Sequence, residues 1–370
     1  MPRITLFESC RRSMANKAHS TTKRDPLFDV VKFFAILLVV VGHVFNKGYE
    51  AGTPVWFSNF RDEMTMPLFF IVSGYFASRT IVNGDWRKLI AHIRSYLQPL
   101  FVFSLVFTPC YYVFQIMIGG DAPSLVDALL YPVKRVLFAG WFVWVLSFSY
   151  VIAFVFYRPV ATARCWVKVI VALVVICSLY FVPGLPKGAC QVRYLPLMFP
   201  FFVLGIVGSE VSCLMASNER SRSFWKLLGL GCFVIYLTVI SSGPAEAFGL
   251  SMYSGQTYGV AWATSLASLA KTALRIAVGL VGACGIIAVI SYLKPYSLMC
   301  GLASLGKTTL GIYLMHQWLL DRVIELDFLP GGLACCIVVT AMLFVFCHFV
   351  VLYTNRYRIL KIGLWGHSQV

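Results

Sequence analysis

Two residues in the stretch Asp29-Val-Val-Lys-Phe-Phe-Ala-Ile-Leu-Leu-Val-Val-Val-Gly-His43 bring chemistry to a run that is otherwise apolar enough to cross a bilayer. Lys32 supplies a cation and His43 an acid or base. A charge near the bilayer centre costs at least about 2.5–3.5 kcal/mol on insertion scales, so an ionisable residue there is a functional candidate by default. Eleven residues separate the two, which at 100° per residue brings them within about 20° of one helix face and roughly 16 Å apart along the axis. One face of one helix therefore offers a cation at one depth and a proton acceptor at another. Two structural explanations of Lys32 stay open beside the functional one: it could pair with Asp29 at i−3, or snorkel to a headgroup layer.

The elements that must position these residues follow from composition. The 370 residues are 59% hydrophobic and 12% charged, with a mean hydropathy of +0.79. Such a chain is too apolar to present a mostly wet surface, so lipid must solvate it. The net charge of +16 would suit nucleic acid, but the basic residues are interspersed between apolar spans and point to membrane topology instead, so no nucleic-acid partner is expected. Twelve cysteines are scattered, mostly through apolar runs, with no Cys-x-x-Cys pair and no Cys/His cluster at metal spacing. Buried thiols of this kind behave as small hydrophobes. Only Cys190 falls in an expected outer loop, and adjacent Cys335 and Cys336 are expected to line a helix.

Runs near the roughly 20 residues needed to cross about 30 Å of hydrocarbon predict an all-α polytopic helix bundle of about ten transmembrane helices. They fall at 28–46, 62–79, 97–118, 138–157, 167–184, 195–214, 224–242, 270–292, 302–320 and 332–354. Residues 1–27 read as a basic tail, 28–354 as one transmembrane domain and 355–370 as a second short basic tail. With the N-terminus inside, the inner segments hold 21 Lys and Arg and the outer loops 9, Lys32 in the first span completing the 31. That asymmetry predicts both termini in the cytoplasm and a location in the cell membrane. Lys32 then lies near the inner face and His43 near the outer one, and the ninth span brings His316 to a similar outer depth. The one long outer loop, 243–269, is rich in Gly, Ser, Tyr and Trp with Glu246 its single charge. It suits a sugar face or an uncharged re-entrant hairpin equally well.

Four motifs in order resemble the acyltransferase-3 family of integral-membrane acyltransferases, whose first helix carries Arg, ten residues, then His. Here they read Lys32-x10-His43; Pro67-Leu-Phe-Phe-Ile-Val-Ser-Gly-Tyr75; Arg193-Tyr-Leu-Pro-Leu-Met-Phe-Pro-Phe-Phe-Val-Leu-Gly205; and Leu305-Gly-Lys-Thr-Thr-Leu-Gly-Ile-Tyr-Leu-Met-His316. Gly42-His43 and the Pro-Phe-Phe-Val-Leu-Gly segment look most like the branch of sugar O-acetylases. The resemblance implies an O-acyltransferase that takes an acyl group, acetyl first among them, from cytoplasmic acyl-CoA. It would pass the group to a hydroxyl of a lipid-linked or surface carbohydrate at the outer face, with acyl-CoA as co-substrate and no bound cofactor.

Acyl transfer to a hydroxyl needs a base for the alcohol proton and a group that stabilises the oxyanion. The resemblance makes His43 the essential His, against the plainer reading of a packed His on a neighbouring carbonyl. Lys32 stands where the family has Arg, a point charge in place of a planar fork, and is a candidate clamp for the phosphates of acyl-CoA. Arg87, Lys88 and Arg94, in the inner segment before the third span, are further CoA candidates, although topology alone would put positive charge there. Ser73 and Gly74 offer a close approach for a thin pantetheine arm, or a packing notch. Asp62 and Glu63, at the outer start of the second span, could orient His43 or contact an acceptor, with solvated loop charges as the default. Trp141 and Trp144 resemble the family's Trp-Phe stretch, and Asp29, Trp141, Arg193 and His316 are candidates for substrate contact or support. No Gly-x-Ser-x-Gly, Walker loop or His-Glu-x-x-His occurs, which favours direct transfer, with a transient acyl-His as the alternative. A transporter or flippase using Lys32 and His43 as a substrate or proton site is the rival from another class, as is a structural protein in which the charges fix helix register. No internal symmetry of the inverted-repeat kind supports the transporter.

Overall fold

The computed structural model describes residues 26–45, 55–117, 124–161, 163, 165–181, 189–215, 219–241, 266–293, 298–325, 332–357, 360–361 and 364. Residues 1–25 of the expected N-terminal tail, most of the expected C-terminal tail 355–370 and most of the expected loop 243–269 lie outside them. Among the described residues twelve α-helices follow in chain order: α1 (Pro26–Val44), α2 (Val55–Asn83), α3 (Trp86–Met117), α4 (Leu125–Lys134), α5 (Trp141–Phe156), α6 (Cys165–Phe181), α7 (Leu195–Met215), α8 (Glu219–Ser241), α9 (Leu266–Leu293), α10 (Leu298–Gly306), α11 (Thr309–Glu325) and α12 (Leu333–Arg356). Among the described residues there is no strand. The chain is an all-α polytopic bundle.

Helix α2 is the hub, packed on α1, α7 and α9. It runs antiparallel to α1: Phe28 meets Tyr75 with ring centroids 4.3 Å apart, and Phe45 meets Phe57 at 6.0 Å. Glycine sets the α2–α7 crossing, because a Cβ on Gly74 would run into the Phe202 carbonyl and one on Gly205 into the Ile71 carbonyl. Small residues allow this backbone approach, on which membrane helices rely for van der Waals packing because lipid leaves no hydrophobic drive between them. Gly306 does the same for α10, seated on the Asp29 carbonyl of α1.

Each of the ten expected spans has helix in its place, but not all are single rods. Seven are long and apolar enough to cross a membrane alone. The expected span 138–157 is the second arm of a bent pair, Val126–Phe138 with Trp141–Phe156, meeting at 51°. A π turn over Arg135–Ala139 precedes the bend; such turns mark irregular backbone that commonly serves a site. The expected span 167–184 corresponds to a shorter apolar helix, Trp166–Leu179. The expected span 302–320 breaks into α10 and α11. Thr308 Oγ1 donates to the Leu305 carbonyl at 2.9 Å and Thr309 Oγ1 to the Gly306 carbonyl at 2.6 Å, local bonds that compete with the helical ladder. Thr308 Oγ1 also bonds Nδ1 of His348 at 2.9 Å, tying the break to α12.

Candidate active site

His43, on the last turn of α1, and His316, in the middle of α11, come together with ring centroids 5.1 Å apart and planes at 50°. His316 is only 1% exposed. Its Nδ1 lies 2.9 Å from the Ile312 carbonyl, and a carbonyl can only accept, so Nδ1 carries the hydrogen. The neutral ring must then hold its lone pair on Nε2, a buried atom with no hydrogen-bond partner among the described residues. His43 is partly exposed. The pair is thus one accessible imidazole backed by one enclosed imidazole.

A charged collar from α2 adjoins this pair. Arg61, Asp62 and Glu63 are 5%, 7% and 0% exposed, which corrects the expectation of solvated loop charges at Asp62 and Glu63. The reason is length: α2 begins at Val55, two turns before the apolar run, and carries the charges into the bundle. Arg61 Nε pairs with Asp62 Oδ1 at 2.6 Å. The Arg61 side chain lies over Gly42, where a Cβ would come within 2.9 Å of its Cδ, so the residue beside His43 is glycine to admit a guanidinium stem. Glu63 presents its backbone carbonyl to Gly279, and Tyr236 OH donates to the Phe60 carbonyl at 2.8 Å.

An aromatic line continues from the other side. His316 neighbours Tyr313 (6.1 Å), Tyr313 meets Phe142 (5.3 Å), and the adjacent Trp141 meets Tyr194 (4.6 Å). The Arg193 guanidinium stands 4.9 Å over the Tyr194 ring. Trp144 donates Nε1–H to the Val136 carbonyl at 2.9 Å and so pins the π turn instead of facing this line. The π turn in turn projects Arg135 to the Leu314 carbonyl, with Nη2 at 3.4 Å. Arg61 and Arg135 are cations near the pair that sequence reasoning missed, since each reads as an ordinary loop charge until the helix bounds are known.

The other candidates gather at the opposite end of α1. Lys32 Nζ pairs with Asp29 Oδ1 at 2.8 Å, with the lysine side chain 20% exposed and the carboxylate 2%. A phosphate at Lys32 would therefore share the ammonium with Asp29. Because α2 returns antiparallel and α3 starts three residues after it ends, Arg87, Lys88 and Arg94 lie at this same end, all exposed. Lys88 pairs with Asp85 at 3.2 Å, Arg94 bonds Gln98 at 3.2 Å and Arg87 stands over Trp86. Asp85 also accepts the Lys88 N–H at 3.1 Å, and that bond, with the ammonium, holds its carboxyl below the usual carboxylate range. The Ser73 carbonyl accepts from Tyr150 OH at 3.4 Å, while Gly74 serves the α2–α7 crossing.

A groove of about 510 Å³ lined by Leu37, Val41, Phe45, Phe57 and Ile337 is apolar. Positions 37, 41 and 45 lie roughly 120–200° around α1 from His43, so this groove faces away from the chemistry.

Comparison with known proteins places these features in context. The acyltransferase domain family matches residues 26–354. Nodulation protein NolL of Mesorhizobium japonicum is 28% identical over 138 residues, 36% of this chain and 36% of that protein. NolL of Sinorhizobium fredii is 28% identical over 196 residues, 50% of this chain and 49% of that protein. The chain thus matches about a third to a half of the length of these relatives. No solved structure matches.

Proposed function

We propose, since this chain belongs to the acyltransferase-3 domain family, that it is a multi-pass cell-membrane O-acyltransferase. It would move an acyl group, acetyl first among them, from cytoplasmic acyl-CoA to a carbohydrate hydroxyl at or beyond the outer face. The observation that carries this is the His43–His316 pair, a proton-accepting site set near buried Arg61 and half-buried Arg135 in an apolar bundle.

In the proposed reaction His43 takes the proton of the acceptor hydroxyl as its oxygen attacks the thioester carbon. The C–S bond breaks, the thiolate leaves and the proton passes to sulfur, so hydroxyl and thioester become ester and thiol. Trp141, Tyr194 and Arg193 offer stacking and hydrogen-bonding groups to a sugar. Lys32, Arg87, Lys88 and Arg94 would meet the phosphates of CoA. Isolated membranes given labelled acetyl-CoA should transfer label to glycan. Solute uptake without label transfer would overturn the assignment in favour of a transporter.

The Lys32–Asp29 pair yields a second test. Lys32→Arg is expected to keep activity, because guanidinium serves both the carboxylate and a phosphate. Lys32→Met should raise the KM for acyl-CoA severalfold, since it keeps the stem and removes the charge. An unchanged donor KM would show that Lys32 serves only to neutralise Asp29.

A further inference from the structure

The structure assigns His316 a positioning role: its Nε2 is the hydrogen-bond acceptor that holds the proton-bearing form of His43 during transfer. This rests on the reading of His43 as the base. Four observations converge on it. Nδ1 is committed to the Ile312 carbonyl at 2.9 Å, which fixes the tautomer and leaves Nε2 as the acceptor. Nε2 is buried and makes no hydrogen bond among the described residues, a vacancy that buried polar atoms rarely keep without a purpose. The His43 ring lies beside it at 5.1 Å. Residue 316 is 1% exposed, so water does not compete for that lone pair.

The surrounding charges fit a single shared proton. From α2, Arg61 lies over Gly42 beside His43 and pairs with Asp62, and the next residue, Glu63, is fully buried. From the π turn, Arg135 reaches the Leu314 carbonyl of α11. On α12, His348 is engaged by Thr308. The side of α11 toward α3 is taken up by Trp318 on Phe107 and by Arg322 over Tyr111 and Phe114. Two imidazolium ions side by side near Arg61 and Arg135 would repel, so no more than one ring of the pair is charged at a time. The hydroxyl proton moves to His43 as the new C–O bond forms. The resulting imidazolium donates to His316 Nε2, which remains neutral. The same proton then leaves His43 for the departing sulfur as the C–S bond breaks.

Amide replacements separate this role from packing. Gln places its Oε1 near the Nε2 position and can accept, whereas the shorter Asn reaches only the Nδ1 position. In membranes or detergent, with labelled acetyl-CoA and the acceptor glycan, His316→Asn is expected to lower kcat by roughly tenfold or more with little change in either KM. The acid limb of its kcat/KM profile should move to lower pH, because an imidazolium without its acceptor loses its proton more readily. His316→Gln should recover most of kcat and return the acid limb toward that of the unmodified enzyme. Equal behaviour of the two variants, or an unmoved acid limb in His316→Asn, would overturn the assignment and leave His316 as packing. An active His43→Ala enzyme would instead remove the base on which the assignment rests, so the two failures are distinguishable.

Discussion

His43→Ala should abolish acyl transfer while the protein still inserts and folds. Loss of a positioned acid/base group costs roughly 10²–10⁴-fold, and no second base can take over in place. His316 has one nitrogen committed to Ile312 and is almost wholly enclosed, so it backs the site without reaching an acceptor. The fold should tolerate the change because His43 ends α1 on a partly exposed position, whereas the buried stripe of that helix is Val31, Ala35, Ile36, Leu38, Val39 and Val40. The variant would be made with a fluorescent tag, checked for a monodisperse detergent-solubilised peak and assayed with labelled acetyl-CoA. Near-normal transfer would sink the assignment of His43 as base.

The His43 end of this site was legible in part from residues alone. The Lys32–His43 spacing carries through because a transmembrane helix keeps its 3.6-residue period, and the motif ending at His316, split between α10 and α11, brings His316 beside α1 at the depth its direction suggested. Arg61, Asp62 and Glu63 were not legible as buried. A hydropathy window scores three consecutive charges as the end of a span, and only Gly42, Gly279 and Tyr236, from elements far apart in sequence, show what encloses them. The break at Thr308 and the π turn before Trp141 escaped for a related reason. Each depends on hydroxyl-to-carbonyl bonds or ladder shifts of a few residues inside runs whose average hydropathy stays high. Of the open explanations for Lys32, the geometry realises pairing with Asp29, a choice between partners that periodicity cannot make.

Donor and acceptor are expected to act from opposite sides of the membrane. The Asp29–Lys32 pair and the exposed Arg87, Lys88 and Arg94 lie at one end of α1, and the two imidazoles, reached by Arg61 and the Trp141–Tyr194–Arg193 line, lie toward the other. If the excess of basic residues marks the cytoplasmic end, the phosphates of acyl-CoA dock there and the hydroxyl arrives from outside. The two ends are separated by the roughly 16 Å rise from Lys32 to His43. The pantetheine arm is the part of CoA thin enough to cross that depth, and a largely extended arm covers the distance. Sealed inside-out vesicles should therefore use added acetyl-CoA, whereas right-side-out vesicles should need it loaded within. The contrast should be close to all-or-none, since CoA does not cross a sealed bilayer unaided. Equal use from both faces would refute transfer through the bundle, and use from the outside alone would show that the basic end faces out.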